Sequence, residues 1–103
     1  MLYLLDFNIE YPATMSQQEL YKIWTEEADT VLEAKKEGTV VDLWKCVGQR
    51  RVIAIVNVDS PDELDDILLD LPIMKKLGQY VQVDVTSLRK YEDFALDVKS
   101  RIE

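Results

Sequence analysis

The chain has 103 residues, 48% hydrophobic and 31% charged, with twenty acidic side chains against twelve basic ones and a formal net charge of −8. That length suits one domain over residues 1–103, and the mix excludes a chain that is disordered throughout. The acidic balance argues against nucleic acid as a partner, since phosphate binding needs Lys and Arg to displace counterions, and no apolar run approaches the ~20 residues that span a bilayer.

Residues 1–11 alternate, with Tyr3, Leu5, Phe7, Ile9 and Tyr11 on one side and Leu4, Asp6, Asn8 and Glu10 on the other. This predicts a strand, closed by Pro12. Ser16-Gln17-Gln18-Glu19 forms a capping box that opens a helix running to about Glu37, where Gly38 supplies the stop. Thr39–Val47 and Arg51–Val58 are rich in β-branched residues and flank Gly48-Gln49, so they read as a hairpin. The second of these strands is apolar on both faces, as expected of a strand covered on each side.

Ser60-Pro61-Asp62-Glu63 opens another helix, carrying Leu64, Ile67, Leu68 and Leu71 and stopped by Pro72. Residues 79–86 alternate again, and a last helix from about Ser87 to Arg101 sets Leu88, Tyr91, Ala95 and Val98 on one stripe. It is expected to pack on its own subunit or on a neighbour. The order is βαββαβ plus a terminal helix, a ferredoxin-like α+β arrangement. Helices then cover one sheet face. The other, with Leu2, Leu4, Val40, Trp44 and Cys46 or their alternates as candidates, is expected to be covered by face-to-face dimerisation.

The first helix holds the position that breaks its pattern. At 100° per residue, Leu20, Ile23, Trp24, Ala28, Val31 and Ala34 share a face, and Glu27 lies inside that arc. A carboxylate facing the sheet loses hydration, and its pKa should rise toward the range that suits a general acid or base. The alternative is a structural carboxylate that reaches an edge or pairs with Arg50, Arg51 or Lys35.

Trp24 and Trp44 either wall a pocket for a flat organic ligand or belong to the core. Arg50 and Arg51, just after the hairpin turn, are either carboxylate ligands or solvated strand-end charges. Cys46, the single cysteine, reads as a buried small hydrophobe; it excludes an intrachain disulfide and a cysteine-based metal cluster. Histidine is absent, which removes the commonest general base and transition-metal ligand. The acids Asp62, Asp65, Asp66 and Asp70 lack the ligand order of a calcium loop, and neither a P-loop nor a dinucleotide fingerprint occurs. The apolar opening meets Asp6 at once and has no basic n-region, so a cytoplasmic protein is expected.

Met1-Leu2-Tyr3, Pro12, Met15, Glu27, Glu37-Gly38-Thr39, Leu43-Trp44, Gly48, Val58-x-Ser60 and Leu71-Pro72 share one register over roughly residues 1–74. In that set the chain resembles the muconolactone isomerase family. The resemblance implies a ferredoxin-like fold, dimers joined through their sheets into an α/β barrel, larger rings of dimers, and no metal or organic cofactor. It also implies isomerase chemistry on a small-molecule substrate, moving a proton on an unsaturated lactone acid, with Glu27 as the catalytic glutamate. Arg51 or Arg50 would hold the substrate carboxylate and Trp44 and Tyr3 would form the wall. Gln49 stands after Gly48, where family members carry a histidine. A non-catalytic small-molecule-binding or assembly protein on the same dimeric fold is the alternative.

Overall fold

The computed structural model describes residues 1–102. In chain order the elements are β1 (Leu2–Ile9), α1 (Gln17–Glu37), β2 (Val40–Lys45), β3 (Arg51–Asn57), α2 (Pro61–Asp70), α3 (Pro72–Leu77), a 3₁₀ turn (Gly78–Tyr80), β4 (Val81–Leu88) and α4 (Tyr91–Ser100). The strands form one antiparallel sheet in the order β2-β3-β1-β4. This is the ferredoxin-like α+β arrangement.

Local chemistry sets the boundaries. Ser16 Oγ accepts the Glu19 amide at the start of α1, and Gly38 ends that helix at φ 90°, a conformation costly for any residue with a Cβ. Ser60 Oγ caps α2 through the Glu63 amide, and the Glu63 carboxylate accepts the Asp59 amide in return.

Pro72 acts differently from a plain stop. The proline ring disfavours the helical conformation for the residue before it. Leu71 is accordingly extended, at φ −62° and ψ 136°, and ends α2. Pro72 then occupies the first turn of α3, where its missing N–H is no loss. The chain therefore turns a corner and starts a second helix.

The core lies between helices and sheet. Tyr3, Leu5, Phe7 and Ile9 of β1 and Ala54 and Val56 of β3 face Leu20, Leu64, Leu68, Leu71, Ile73 and Leu77, all buried. Leu20 and Ile73 are 1% exposed. Burial of each such side chain contributes about 1.5–3 kcal/mol.

The opposite sheet face carries Leu2, Leu4, Ile53 and Ile55, all partly exposed, with Leu4 opposite Ile55 and no helix across it among the described residues. Val40, expected as a candidate for that face, is buried in the core opposite Val56. The register slips between Val40 and Asp42, so Val41 is an inserted residue. A bulge reverses the alternation. Trp44 and Cys46 stay on the open side, and Cys46 is half-buried rather than buried.

The last segment also differs from expectation. Leu88 belongs to β4, opposite Leu2, and α4 begins at Tyr91. No α4 residue is buried; Tyr91 is 74% and Leu96 66% exposed. The helix does not pack on its own subunit, and the molecule measures 62 × 26 × 21 Å.

Candidate functional site

A cavity of about 430 Å³ opens between α1, α2 and the sheet. Leu5, Phe7, Ala54 and Val56 form its floor, Trp24, Ala28 and Val31 one wall, and Leu64, Ile67 and Leu68 the other. Trp24, Ala28, Val31 and Ala34 of α1 are half-buried and border the cavity. Its surface is almost wholly apolar, which suits a small organic molecule.

Glu27 enters this surface from α1 and is 7% exposed, the one charged side chain in the buried set among the described residues. Its Oε1 accepts the backbone N–H of Ile73 at 3.1 Å. That amide belongs to the first turn of α3, where the helix provides no carbonyl for it. The corner at Leu71-Pro72 is therefore what brings a donor to the carboxylate. A neighbouring ion pair, Lys76 Nζ to Glu26 Oε2 at 2.5 Å, ties the same two helices on the solvent side.

The second carboxylate oxygen has no hydrogen-bond partner among the described residues. Among the described residues no sealed side-chain oxygen lacks a partner. The free oxygen of Glu27 is therefore not fully sealed, and Glu27 lines the cavity. Burial pushes the Glu27 pKa up from its ordinary 4.5, and the Ile73 hydrogen bond opposes the rise without cancelling it. The arrangement can take up and release a proton at a largely desolvated carboxylate.

The basic partners suggested for Glu27 are engaged elsewhere. Lys35 pairs with Asp42 at 3.1 Å. Arg51 forms a two-pronged pair with Asp6, Nε to Oδ1 at 2.9 Å and a terminal nitrogen to Oδ2 at 2.6 Å. Asp6 holds the guanidinium pKa high, and the guanidinium lowers that of Asp6. Both lie on the open sheet face, Arg51 opposite Asn8 and Asp6 opposite Ile53. Arg50 donates to the Ile9 carbonyl at 3.2 Å and lies over the Tyr11 ring.

Of the other residues singled out from sequence, Trp24 lines the cavity. Trp44 pairs with Ile53 on the open face, is 52% exposed, and borders the cavity only at the β2 edge. Tyr3 is in the core with its hydroxyl 3.5 Å from Met1 Sδ, and does not border the cavity. Gln49 is exposed in the hairpin turn, where Gly48 adopts φ 75°. Glu27, Trp24 and Trp44 are thus brought to one cavity; Arg50, Arg51, Tyr3 and Gln49 are not.

Ile73 and Lys45 are among the lining residues missed from sequence. Ile73 acts through its backbone, which side-chain patterns do not report. Lys45 borders the cavity from the last position of β2, opposite Val52. Its place could have been found by alternation from Leu43, two residues earlier on the same face. No group of three or more carboxylate, cysteine or histidine side chains able to hold a metal occurs among the described residues. No helix among them is long and apolar enough to cross a membrane.

Comparison with known proteins gives a consistent result. The family profile described as muconolactone delta-isomerase matches residues 1–93. The muconolactone delta-isomerase of Cupriavidus pinatubonensis is 30% identical over 91 residues, covering 88% of this chain and 95% of that one. That of Acinetobacter baylyi is 27% identical over 97 residues, covering 94% and 97%. A crystal structure of muconolactone isomerase superposes with a TM-score of 0.73 at 24% identity, over 87% of this chain and 90% of the other, and shares the fold.

Proposed function

Since the chain belongs to the muconolactone delta-isomerase family, we propose that it is a cofactor-independent isomerase that relocates a proton on a small unsaturated lactone or related carbonyl acid, with Glu27 as both base and acid. The observation that carries this reading is a buried carboxylate that lines an apolar cavity, with one oxygen held by Ile73 and the other without a partner among the described residues.

The chemistry follows from that environment. Ionised Glu27 removes a proton from a ring carbon conjugated with the lactone carbonyl. The C–H pair moves into the conjugated system, and the carbonyl oxygen takes the negative charge as a dienolate. The protonated carboxyl then delivers the proton to the far carbon, the double bond settles in its new place, and Glu27 is a carboxylate again. No atom or electron is gained or lost. A carboxylate with a raised pKa is a stronger base than a solvated one and a weaker acid in the return step, and the compromise favours a value near the working pH. The Ile73 amide fixes one oxygen, so the other has a defined direction. Trp24 gives the cavity a flat wall, and Trp44 closes part of its edge. The same reading takes the protein as a cytoplasmic homodimer joined through its open sheet faces.

Muconolactone serves as the test substrate. The native protein is expected to convert it, and Glu27→Gln should lower turnover about 10²–10⁴-fold, the usual contribution of a positioned acid or base. Full turnover by the variant overturns the assignment. A native protein that binds muconolactone and leaves it unchanged is a binding protein on this fold.

A further inference from the structure

We propose that Lys45 anchors the carboxylate of an anionic substrate at the cavity rim, so that the site selects small acids over their neutral analogues. This rests on reading the cavity beside Glu27 as the substrate site.

The apolar surface poses an electrostatic requirement. An anion that enters it loses hydration, which is costly without a counter-charge. Glu27 is itself anionic when it acts as a base and repels a second carboxylate, so the substrate's acid group must lie away from it. Lys45 is the one cation bordering this cavity among the described residues, and it reaches the cavity from β2 while Glu27 reaches it from α1.

Arg50, Arg51, Lys35 and Lys76 do not line this cavity. Arg51 is locked to Asp6 across the sheet, Lys35 to Asp42 and Lys76 to Glu26. Arg50 is held by the Ile9 carbonyl and the Tyr11 ring. Lys45 Nζ donates to the Cys46 carbonyl at 3.0 Å and forms no ion pair with a described residue. An ammonium has three donors, so two remain for a carboxylate. A lysine at an open rim also suits the task mechanically, as its flexible stem can follow the acid group of an incoming ligand.

The test compares binding of muconolactone with that of its methyl ester, read from the fluorescence of Trp24 and Trp44, which border the cavity. Lys45→Met should weaken binding of the acid about tenfold to hundredfold, the range for a hydrogen bond to a charged group. Binding of the ester should hardly change, and Lys45→Arg should restore affinity for the acid. Circular dichroism checks that the exposed substitution leaves the fold intact. Undiminished binding of the acid by Lys45→Met overturns the proposal, as does equal loss for acid and ester, or no saturable binding of the acid by the native protein. Binding is read without turnover. A protein that holds the acid through Lys45 but does not convert it therefore contradicts the reaction assigned above and leaves the anchor standing.

Discussion

At the scale of single residues, Glu27 determines both a chemical capacity and a cost. Its pKa is raised in the native state, so between 4.5 and the raised value the native protein binds more protons than the unfolded chain. Stability therefore falls as pH increases through that window and levels off above it. Glu27→Gln removes this dependence while its side-chain oxygen can still accept the Ile73 amide. Urea unfolding at pH 4 and pH 7 should show the native protein losing stability between the two from this group. The Gln variant should lack that loss and be the more stable of the pair at pH 7. Leu20→Ala, by contrast, should cost about 2–5 kcal/mol, because Leu20 is 1% exposed in the core. The place of Glu27 was legible because helical periodicity fixes which side chains share a face. The donor that meets it was not, because a backbone amide leaves no mark in side-chain chemistry.

At the scale of elements, Pro72 illustrates how one signal can carry two meanings. A proline ends one helix as readily as it opens the next, and nothing local in the sequence separates these outcomes. Here it does both, and the omitted helix is the one that supplies the donor to Glu27. The bulge at Val41 was hidden for a related reason, since an inserted residue shifts parity without altering composition. Capping was plainer. Ser60→Ala should lower stability by about 1 kcal/mol through loss of the Glu63 amide bond, measurable by denaturant unfolding. Tyr91, Ala95 and Val98 of the expected stripe do lie on a helix, while Leu88 lies in β4; a stripe says that a surface needs cover and not where the cover lies. With no α4 residue buried, a chain ending at Arg89 should retain its stability to within about 0.5 kcal/mol, as surface changes usually do.

At the scale of the molecule, layering decides what remains open. Helices cover one face of the sheet, and β3, apolar on both sides, leaves Ile53 and Ile55 on the other beside Leu2 and Leu4. The sequence pattern asked for two covers and the chain supplies one. A second copy is the expected other. Ile55→Asp would place a charge in the middle of that patch, and sedimentation should then shift from dimer, or a ring of dimers, to monomer. A native protein that sediments only as a monomer at micromolar concentration contradicts the expected assembly. The net charge of −8 is carried mainly by solvated helix surfaces such as Asp62, Asp65 and Asp66, all exposed. Glu27 is the acid that this surface explanation does not cover.

The most direct test of the account is the pH dependence of kcat/KM for muconolactone, measured for the native protein and for Glu27→Gln. Activity of the native protein should rise along a limb whose inflection lies above 4.5, since that limb reports the base form of Glu27 in the free enzyme. The variant should lose about 10²–10⁴-fold in activity and the limb with it. A variant that keeps full activity, or that shows the same limb, contradicts proton transfer by Glu27.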